Sequence, residues 1–264
     1  HRDCACAGKG LKEKGVCVGA LSQLGNCSAT TRSPCVLQAT LVKMPPLNLG
    51  DPFPNFTCET TIGTIDFHEW LGDSWGILFS HPADYTPVCT TELARAAQLA
   101  HVFEKKGVKI IALSCDSVES HHGWIKDIEA YGELPDGPFP YPIIADEKRE
   151  IAVKLGMLDP VEKDKEGLPL TCRAVFIIGP DKKMKLSMLY PATTGRNFDE
   201  VLRATDSLLV TETRKVATPA GWKKGTPCMV LPSVTDEEIP QLFPTGIKQY
   251  DVPSGKKYLR TTMD

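Results

Sequence analysis

The 264-residue sequence lacks any apolar run close to the roughly 20 residues that span a bilayer. Its net charge at pH 7 is only −3, which gives no reason to expect nucleic acid or an anionic membrane as a partner. No internal repeat is visible, and no two cysteines form the Cys-x-x-Cys pair of dithiol redox motifs. With 42% hydrophobic and 24% charged residues, the composition predicts an ordinary soluble globular protein.

The ten cysteines are unevenly distributed. Five fall in the first 43 residues, and the other five are scattered through a main body too large to need disulfides: Cys58, Cys89, Cys115, Cys172 and Cys228. Apart from Cys89, we interpret the scattered cysteines as small half-buried thiols. This usage favours a reduced, cytoplasmic protein.

The chain divides into three segments by composition. Residues 1–43 are rich in Gly, Ser, Thr and Cys, and we expect a disordered extension or a segment that is not part of the mature protein. Cys4 and Cys6 in this segment have no second ligand pair at a recognisable spacing, so no metal site is predicted. Residues 44–212 form the main domain, and residues 213–264, in which prolines break any long element, form a small C-terminal domain.

The main domain alternates short apolar strands with helices. Its pattern predicts a mixed central sheet covered by helices, an α/β fold. The predicted strands are 77–79, 108–113, 141–145, 174–178 and 185–190, and the predicted helices are 92–106, 118–131, 148–155 and 198–209. The last two strands are expected to form a hairpin through a turn that contains Asp181.

The most informative motif surrounds Cys89. This cysteine follows a turn that contains Pro82 and Pro87, and it comes just before a strongly helical sequence. A thiol at a helix N-terminus experiences partial positive charge, which favours the thiolate over the thiol. The hydroxyl of Thr86, three residues upstream, is expected to lie beside the sulfur. The motif therefore predicts a nucleophilic cysteine.

The pattern Pro82-x-x-x-Thr86-x-x-Cys89 resembles the active-site signature of the peroxiredoxins, and the longer form, from His81 to Glu92, resembles their 1-Cys subfamily. The likeness begins near residue 44 and also covers residues 155–160, 190–196 and 253–260. The resemblance implies a thioredoxin-like fold and a C-terminal domain that contacts a dimer partner. It implies a homodimer without a cofactor or a metal.

The resemblance also implies the roles of individual residues in peroxide reduction. Cys89 would attack hydrogen peroxide or an organic or phospholipid hydroperoxide and become a sulfenic acid. Thr86 would position the peroxide, Arg173 would stabilise the charge, and Pro82 would shield the sulfur. His81 would add a hydrogen bond, although a lone histidine can equally be structural.

The resemblance implies that the oxidised cysteine is regenerated by an external thiol. Subfamilies with two cysteines carry a resolving cysteine near the C-terminus, whereas Cys228 stands here in a different context, Thr-Pro-Cys-Met. Glutathione, delivered through a partner such as glutathione S-transferase, is the expected reductant. A disulfide between Cys172 and Cys89 is the alternative that the sequence leaves open.

A second activity is implied by the same resemblance. The subfamily is associated with a phospholipase A2 activity whose His, Ser and Asp match His68, Ser74 and Asp181, with peripheral phospholipid binding by the first two. Residues 72–76 also match Gly-x-Ser-x-Gly, but an apolar strand follows where a nucleophile elbow requires a helix. The alternative is that Ser74 and Asp181 are ordinary loop and turn residues. A non-enzymatic binding module on the same scaffold would consume no peroxide.

Overall fold

The structure, a computed structural model, describes residues 47–263, and a seven-stranded mixed sheet dominates it. The strand order is β2-β1-β5-β4-β3-β8-β9. The strands are β1 Thr57–Thr60, β2 Gly63–Asp66, β3 Trp75–Ser80, β4 Val108–Ser114, β5 Ile143–Ala145, β8 Arg173–Ile178 and β9 Met184–Tyr190. A separate hairpin pairs β6 Leu158–Lys163 with β7 Pro169–Thr171.

The centre of the sheet is built from strands that are apolar on both faces. β3 pairs in parallel with β4 and antiparallel with β8, and every residue of β3 and β8 is buried. Successive side chains of a strand point to opposite faces. Thus Ile77 and Phe79 enter one core, whereas Leu78 enters the other.

Helices cover both faces of this sheet. The first core lies under the three long helices, which are α2 Pro87–Glu104, α3 Val118–Gly132 and α5 Phe198–Thr213. The second core includes side chains of the two short helices α1 Phe67–Leu71 and α4 Glu150–Lys154. This arrangement confirms the predicted α/β fold. No helix within residues 47–263 is long and apolar enough to cross a bilayer.

The C-terminal domain has a sheet and a small core of its own. Its antiparallel sheet has the order β10-β11-β13-β12, and Trp222 and Phe243 are among the side chains that fill the core. The elements are β10 Val216–Ala217, β11 Cys228–Val230, α6 Ile239–Leu242, β12 Lys248–Gln249 and β13 Arg260–Thr262. Such short strands carry too little periodicity to be found in a sequence rich in proline.

Several boundaries differ from the sequence-based prediction. The helix expected from residue 92 begins at Pro87, because proline is well suited to the first helical position. The hairpins β1–β2 and β6–β7 and helix α1 were not predicted. The extension 1–43, with its five cysteines, lies outside the described residues. The two boundaries at residues 43/44 and 212/213 stay predictions.

Candidate active site

Cys89 is fully buried in the first turn of α2. Thr86 is the N-cap residue, so Cys89 is the third residue of the helix rather than a residue just before it. Its sulfur therefore lies at the end of the helix where backbone N–H groups lack intrahelical partners and the helix dipole is positive. This position favours a negative charge on the sulfur.

Arg173 supplies a full positive charge at the same place. Its Nη1 lies 3.3 Å from the Cys89 sulfur, and the guanidinium is buried. Its Nε and Nη2 both donate to the carbonyl of Ala192, at 2.9 and 2.6 Å, which fixes the plane of the group. Cys89 and Arg173, which the sequence analysis paired although they are far apart in the chain, are thus in contact. Arg173 is the first residue of β8.

Glu92 connects two arginines one helical turn after Cys89. Its Oε2 accepts from Arg173 Nη1 at 2.8 Å and from Arg196 Nη2 at 2.7 Å. Its Oε1 accepts from the backbone N–H of Arg196 at 2.6 Å and from the Nε of that residue at 3.0 Å. Burial opposes ionisation, but the hydrogen bonds and charges of the arginines outweigh it and lower the pKa of Glu92.

The buried charges beside Cys89 cancel when the sulfur is counted as a thiolate. The two guanidinium groups and one carboxylate sum to +1, and a thiolate brings the total to zero. Arg196 is held in place by the rings of Phe79 and Phe198, each 5.5 Å from its guanidinium carbon, and by the carbonyl of Ala174. With a neutral thiol the same group of side chains would carry a net buried charge of +1.

The turn before Cys89 contains the other residues that the sequence singled out. Pro82 is buried, and the hydroxyl of Thr86 donates to the carbonyl of Ala83 at 2.9 Å. His81 is fully buried, and its Nε2 hydrogen-bonds the carboxylate of Asp84 at 2.8 Å. The roles assigned to Pro82, Thr86 and His81 stay predictions, although all three lie in the turn that leads into α2.

Three of the four remaining described cysteines pack in other cores. Cys172 directly precedes Arg173, so its side chain points to the opposite face of the sheet and packs with the second core. Cys58 belongs to that core too, and Cys228 is buried in the C-terminal domain. Burial raises the pKa of Cys58 and of Cys115 to about 12. The geometry therefore argues against a disulfide between Cys172 and Cys89.

The three residues proposed for phospholipase chemistry each have a local environment of their own. The Nε2 of His68 lies 2.9 Å from the carbonyl oxygen of Phe53. Asp181 is exposed, and Lys185 binds its carboxylate at 2.9 Å. Ser74 is half-buried in the loop before β3. Among the described residues, no hydrogen bond joins His68, Ser74 and Asp181 to one another.

Sequence reasoning missed four residues around the site. Glu92 stands three positions after Cys89 in a helical pattern, a spacing that places both on one face, so this signal was available. Arg196 lies within a segment that was noted only for its resemblance. Asp84 and His121 are joined at 2.7 Å although they stand far apart in sequence, and no local pattern pairs them.

A buried cysteine at a helix N-terminus, facing an arginine on a thioredoxin-like fold, defines the class of thiol peroxidases. Comparison with known families agrees: residues 49–187 match the AhpC/TSA family, and residues 208–246 match the C-terminal domain of 1-Cys peroxiredoxin. The chain belongs to the peroxiredoxins, in the 1-Cys, peroxiredoxin-6 subfamily.

Individual relatives show how far the similarity extends. Peroxiredoxin-6 of Gallus gallus is 65% identical over 220 residues, which are 83% of this chain and 98% of the relative. Peroxiredoxin-6 of Homo sapiens is 62% identical over 217 residues, 82% of this chain and 97% of the relative.

Two solved structures are also similar. A mutant of peroxiredoxin 6 from Arenicola marina has a TM-score of 0.79 and 60% identity, covering 82% of this chain and 98% of its own. A yeast mitochondrial 1-Cys peroxiredoxin has a TM-score of 0.74 and 41% identity, covering 83% of this chain and 100% of its own.

Proposed function

We propose that this thiol peroxidase reduces hydrogen peroxide and organic hydroperoxides, including phospholipid hydroperoxides, through Cys89 alone, and that an external thiol regenerates it. The observation that carries the proposal is the contact of 3.3 Å between Arg173 Nη1 and the Cys89 sulfur at the start of α2. The thiolate attacks one peroxide oxygen, the O–O bond breaks, and the products are a sulfenic acid and, after protonation, water or an alcohol.

The test of the catalytic residue is Cys89→Ser. We expect peroxide consumption to be abolished while the unfolding temperature changes little, because serine is close in volume to cysteine. Cys172→Ser is the matched control, since its side chain faces the other core, and it should retain full activity. Near-normal turnover in Cys89→Ser would disprove the assignment.

Regeneration by an outside thiol is supported by the separation of three of the described cysteines from Cys89. Cys58 and Cys172 pack in a core on the other side of the sheet from Cys89, and Cys228 lies in another domain. The related yeast enzyme is described as resolved by glutathione and thioredoxin systems. We propose glutathione as the reductant here, with a glutathione S-transferase as its carrier.

Two measurements test this regeneration route. Mass spectrometry after one equivalent of peroxide should find a sulfenic acid on Cys89, whereas an internal disulfide would contradict the proposal. Peroxide consumption should be sustained by glutathione, with and without the transferase, better than by thioredoxin. Faster turnover with thioredoxin alone would replace glutathione as the proposed reductant.

We propose that the protein is a homodimer. β9 is an edge strand of the sheet among the described residues, and Leu189 on it is 61% exposed. An exposed apolar edge strand is a surface that pairs readily with another strand. Light scattering should give a dimer for the wild type, and Leu189→Lys should shift it toward monomer; a monomeric wild type would contradict the proposal.

A phospholipase A2 activity with peripheral phospholipid binding is the second function that the resemblance implied. The local partners of His68 and Asp181 do not favour it, because a triad needs the histidine between serine and aspartate. Hydrolysis of phospholipid vesicles by Ser74→Ala and wild type separates the two views. Unchanged hydrolysis would remove Ser74 from any triad, and a large loss would restore it.

We also propose a cytoplasmic location. Cys58, Cys89, Cys115 and Cys172 are thiols rather than disulfides, which suits a reducing compartment. Fractionation of cells that express the full chain tests this, and recovery in a secreted fraction would contradict it.

A further inference from the structure

A second buried carboxylate, Asp84, lies in the loop between β3 and α2 and is surrounded by hydrogen-bond donors. His81 Nε2 is 2.8 Å from Oδ1, and His121 Nδ1 is 2.7 Å from Oδ2. The hydroxyl of Ser120 donates to Oδ2 at 2.8 Å. Both imidazole rings are fully buried, so water does not compete for these contacts.

The partners of each nitrogen fix where the hydrogens are. A carboxylate only accepts, so the hydrogens lie on His81 Nε2 and His121 Nδ1. The other nitrogen of His121 is 3.2 Å from the carbonyl oxygen of Ile144, which also only accepts. Both nitrogens of His121 therefore face an oxygen that only accepts, a geometry that suits a ring with a hydrogen on each nitrogen.

The remaining nitrogen of the cluster, Nδ1 of His81, is buried without a hydrogen-bond partner among the described residues. A neutral His81, with this nitrogen bare, gives the cluster a net charge of zero together with His121 and Asp84. Burial opposes ionisation of Asp84, but the hydrogen bonds from His121 and His81 outweigh it and lower the pKa of this carboxyl. A charged His81 would leave the cluster with an excess buried cation.

A further charged side chain, that of Asp116, contacts the loop that contains Asp84. Asp116 follows β4 and accepts the backbone N–H of Asp84 at 2.9 Å and the hydroxyl of Ser114 at 2.7 Å. These bonds hold the loop of Asp84 against the end of β4. The hydrogen bonds described for the Asp116 carboxylate thus go to the backbone of the loop and to Ser114, not to an imidazole.

The cluster is connected to the first turn of α2 by direct contacts. The ring of His81 lies 5.1 Å from the ring of Trp124, and the indole N–H of Trp124 donates to the hydroxyl of Thr90 at 3.2 Å. Thr90 is the residue after Cys89, and Asp84 stands two residues before the N-cap Thr86. A change in the cluster would therefore shift the turn that holds Cys89.

We propose that Asp84 and His121 are positioning residues of the peroxidase, which keep His81 neutral with its hydrogen on Nε2 and its Nδ1 available as an acceptor. The contact of the His81 ring with Trp124, which hydrogen-bonds Thr90, connects this fixed tautomer to the turn that orients Cys89. The effect on rate rests on the proposed peroxidase function, whereas the protonation pattern does not.

The same three side chains are of the types that bind a metal ion, and their ligating atoms lie within 4.8 Å of one another. However, the two nitrogen–oxygen pairs are 2.7 and 2.8 Å apart, shorter than the ~3.3 Å between neighbouring tetrahedral ligands of zinc. The geometry is that of hydrogen bonds. A stoichiometric metal in the purified reduced protein would overturn the proposal.

Nitrogen-15 NMR of histidine side chains in the reduced, resting protein tests the proposal directly. The chain has six histidines, and histidine-to-glutamine variants assign the signals. We expect the Nε2–H tautomer for His81 and a doubly protonated ring for His121 at neutral pH. A protonated Nδ1 on His81, or a neutral His121, would overturn the proposal, whether or not the protein reduces peroxides.

Kinetic measurements on variants test whether this protonation pattern of the histidines affects catalysis. Asp84→Asn should abolish the charged signal of His121 and lower kcat/KM for a hydroperoxide by roughly 10- to 100-fold. His122→Gln, at the exposed neighbouring position on α3, is the matched control and should change neither. An active Asp84→Asn variant with an unchanged pH profile of kcat/KM would overturn the positioning role. Absence of peroxide consumption by the wild type would instead disprove the peroxidase function alone.

Discussion

The two buried carboxylates near Cys89 are held by different kinds of cation. Glu92 lies between Arg173 and Arg196, whose guanidinium groups stay protonated at any physiological pH. Asp84 lies between His81 and His121, and an imidazole, unlike a guanidinium, can be a neutral hydrogen-bond donor. We call Glu92, Arg173 and Arg196 the arginine cluster, and Asp84, His81 and His121 the histidine cluster.

The arginine cluster and the histidine cluster have different effects on the active site. The arginine cluster carries +1 before the sulfur ionises, so it provides a fixed field for the thiolate and only one of its members touches the sulfur. The histidine cluster is neutral overall and touches the loop before the helix. The first places positive charge beside the sulfur, whereas the second holds the loop that leads into α2.

The largest expected effect comes from Glu92→Gln. This change leaves two buried guanidinium groups without their anion, and removing one partner of a buried ion pair costs about 3–5 kcal/mol of unfolding free energy. Urea unfolding followed by circular dichroism measures the loss. Peroxidase activity should fall as well, because Arg173 loses the carboxylate that orients it.

The control for Glu92→Gln is a change in an exposed ion pair. Arg95 and Asp199 are 2.8 Å apart, but their side chains are 46% and 69% exposed. Arg95→Gln should therefore cost only about 0–1 kcal/mol. A loss in Glu92→Gln as small as that of Arg95→Gln would show that the buried arginines do not depend on their carboxylate.

Asp84→Asn should have a smaller effect that depends on pH. We expect a loss of about 2–3 kcal/mol near pH 5.5 and about 1 kcal/mol at pH 8. Burial without an anion disfavours a charged imidazole, whereas the imidazoles of the unfolded chain take up protons below about pH 6.5, which stabilises the unfolded state. Unfolding free energies of variant and wild type across this range provide the measurement.

The carboxyl group of Asp84 does not itself contribute to this pH dependence. The pKa of Asp84 is lowered from its ordinary value of 3.8, so its contribution to stability is present above that value and is lost only as the pH falls below it. Asp84 itself therefore adds no slope between pH 5.5 and 8. The loss in Glu92→Gln should be flat over the same range, and parallel pH profiles for the two variants would refute the distinction.

More of the arginine cluster than of the histidine cluster could be predicted from the sequence. Cys89 stands out because proline and helix-forming residues mark a helix start, and the peroxiredoxin resemblance pointed to Arg173. Strands β3, β4 and β8 were found because they are continuous apolar runs. Helical spacing would also have identified Glu92.

The contacts of Asp84 could not be predicted in this way. They join the loop after β3 to the first turn of α3, and the carbonyl of Ile144 comes from β5. Pairings between separate elements depend on the three-dimensional packing of the sheet, and a single sequence carries no periodic signal for them. The same reason explains the missed two- and three-residue strands of the C-terminal sheet.

The smallest expected effect on stability comes from Gly123→Ala, which changes the packing next to the histidine cluster. A methyl group at Gly123 on α3 would overlap the hydroxyl of Tyr85, whose backbone is left-handed, with φ of 53°, next to Asp84. Alanine gains up to ~1 kcal/mol of helix propensity, so Gly123→Ala should change stability by less than about 1 kcal/mol. The displaced Tyr85 ring should nevertheless alter the fluorescence of Trp124, 6.3 Å away, and lower peroxidase activity a few-fold.

Gly195→Ala is the matched change on the arginine side. A methyl group there would meet a methyl of Val88 at 3.3 Å and the carboxylate of Glu92 only at 4.0 Å, contacts that a small shift accommodates. We expect normal activity and unchanged Trp124 fluorescence, because the arginine cluster is fixed by charge. Equal losses of activity in the two alanine variants would mean that both clusters respond to crowding alike, since each would then depend on the same tight packing around the first turn of α2.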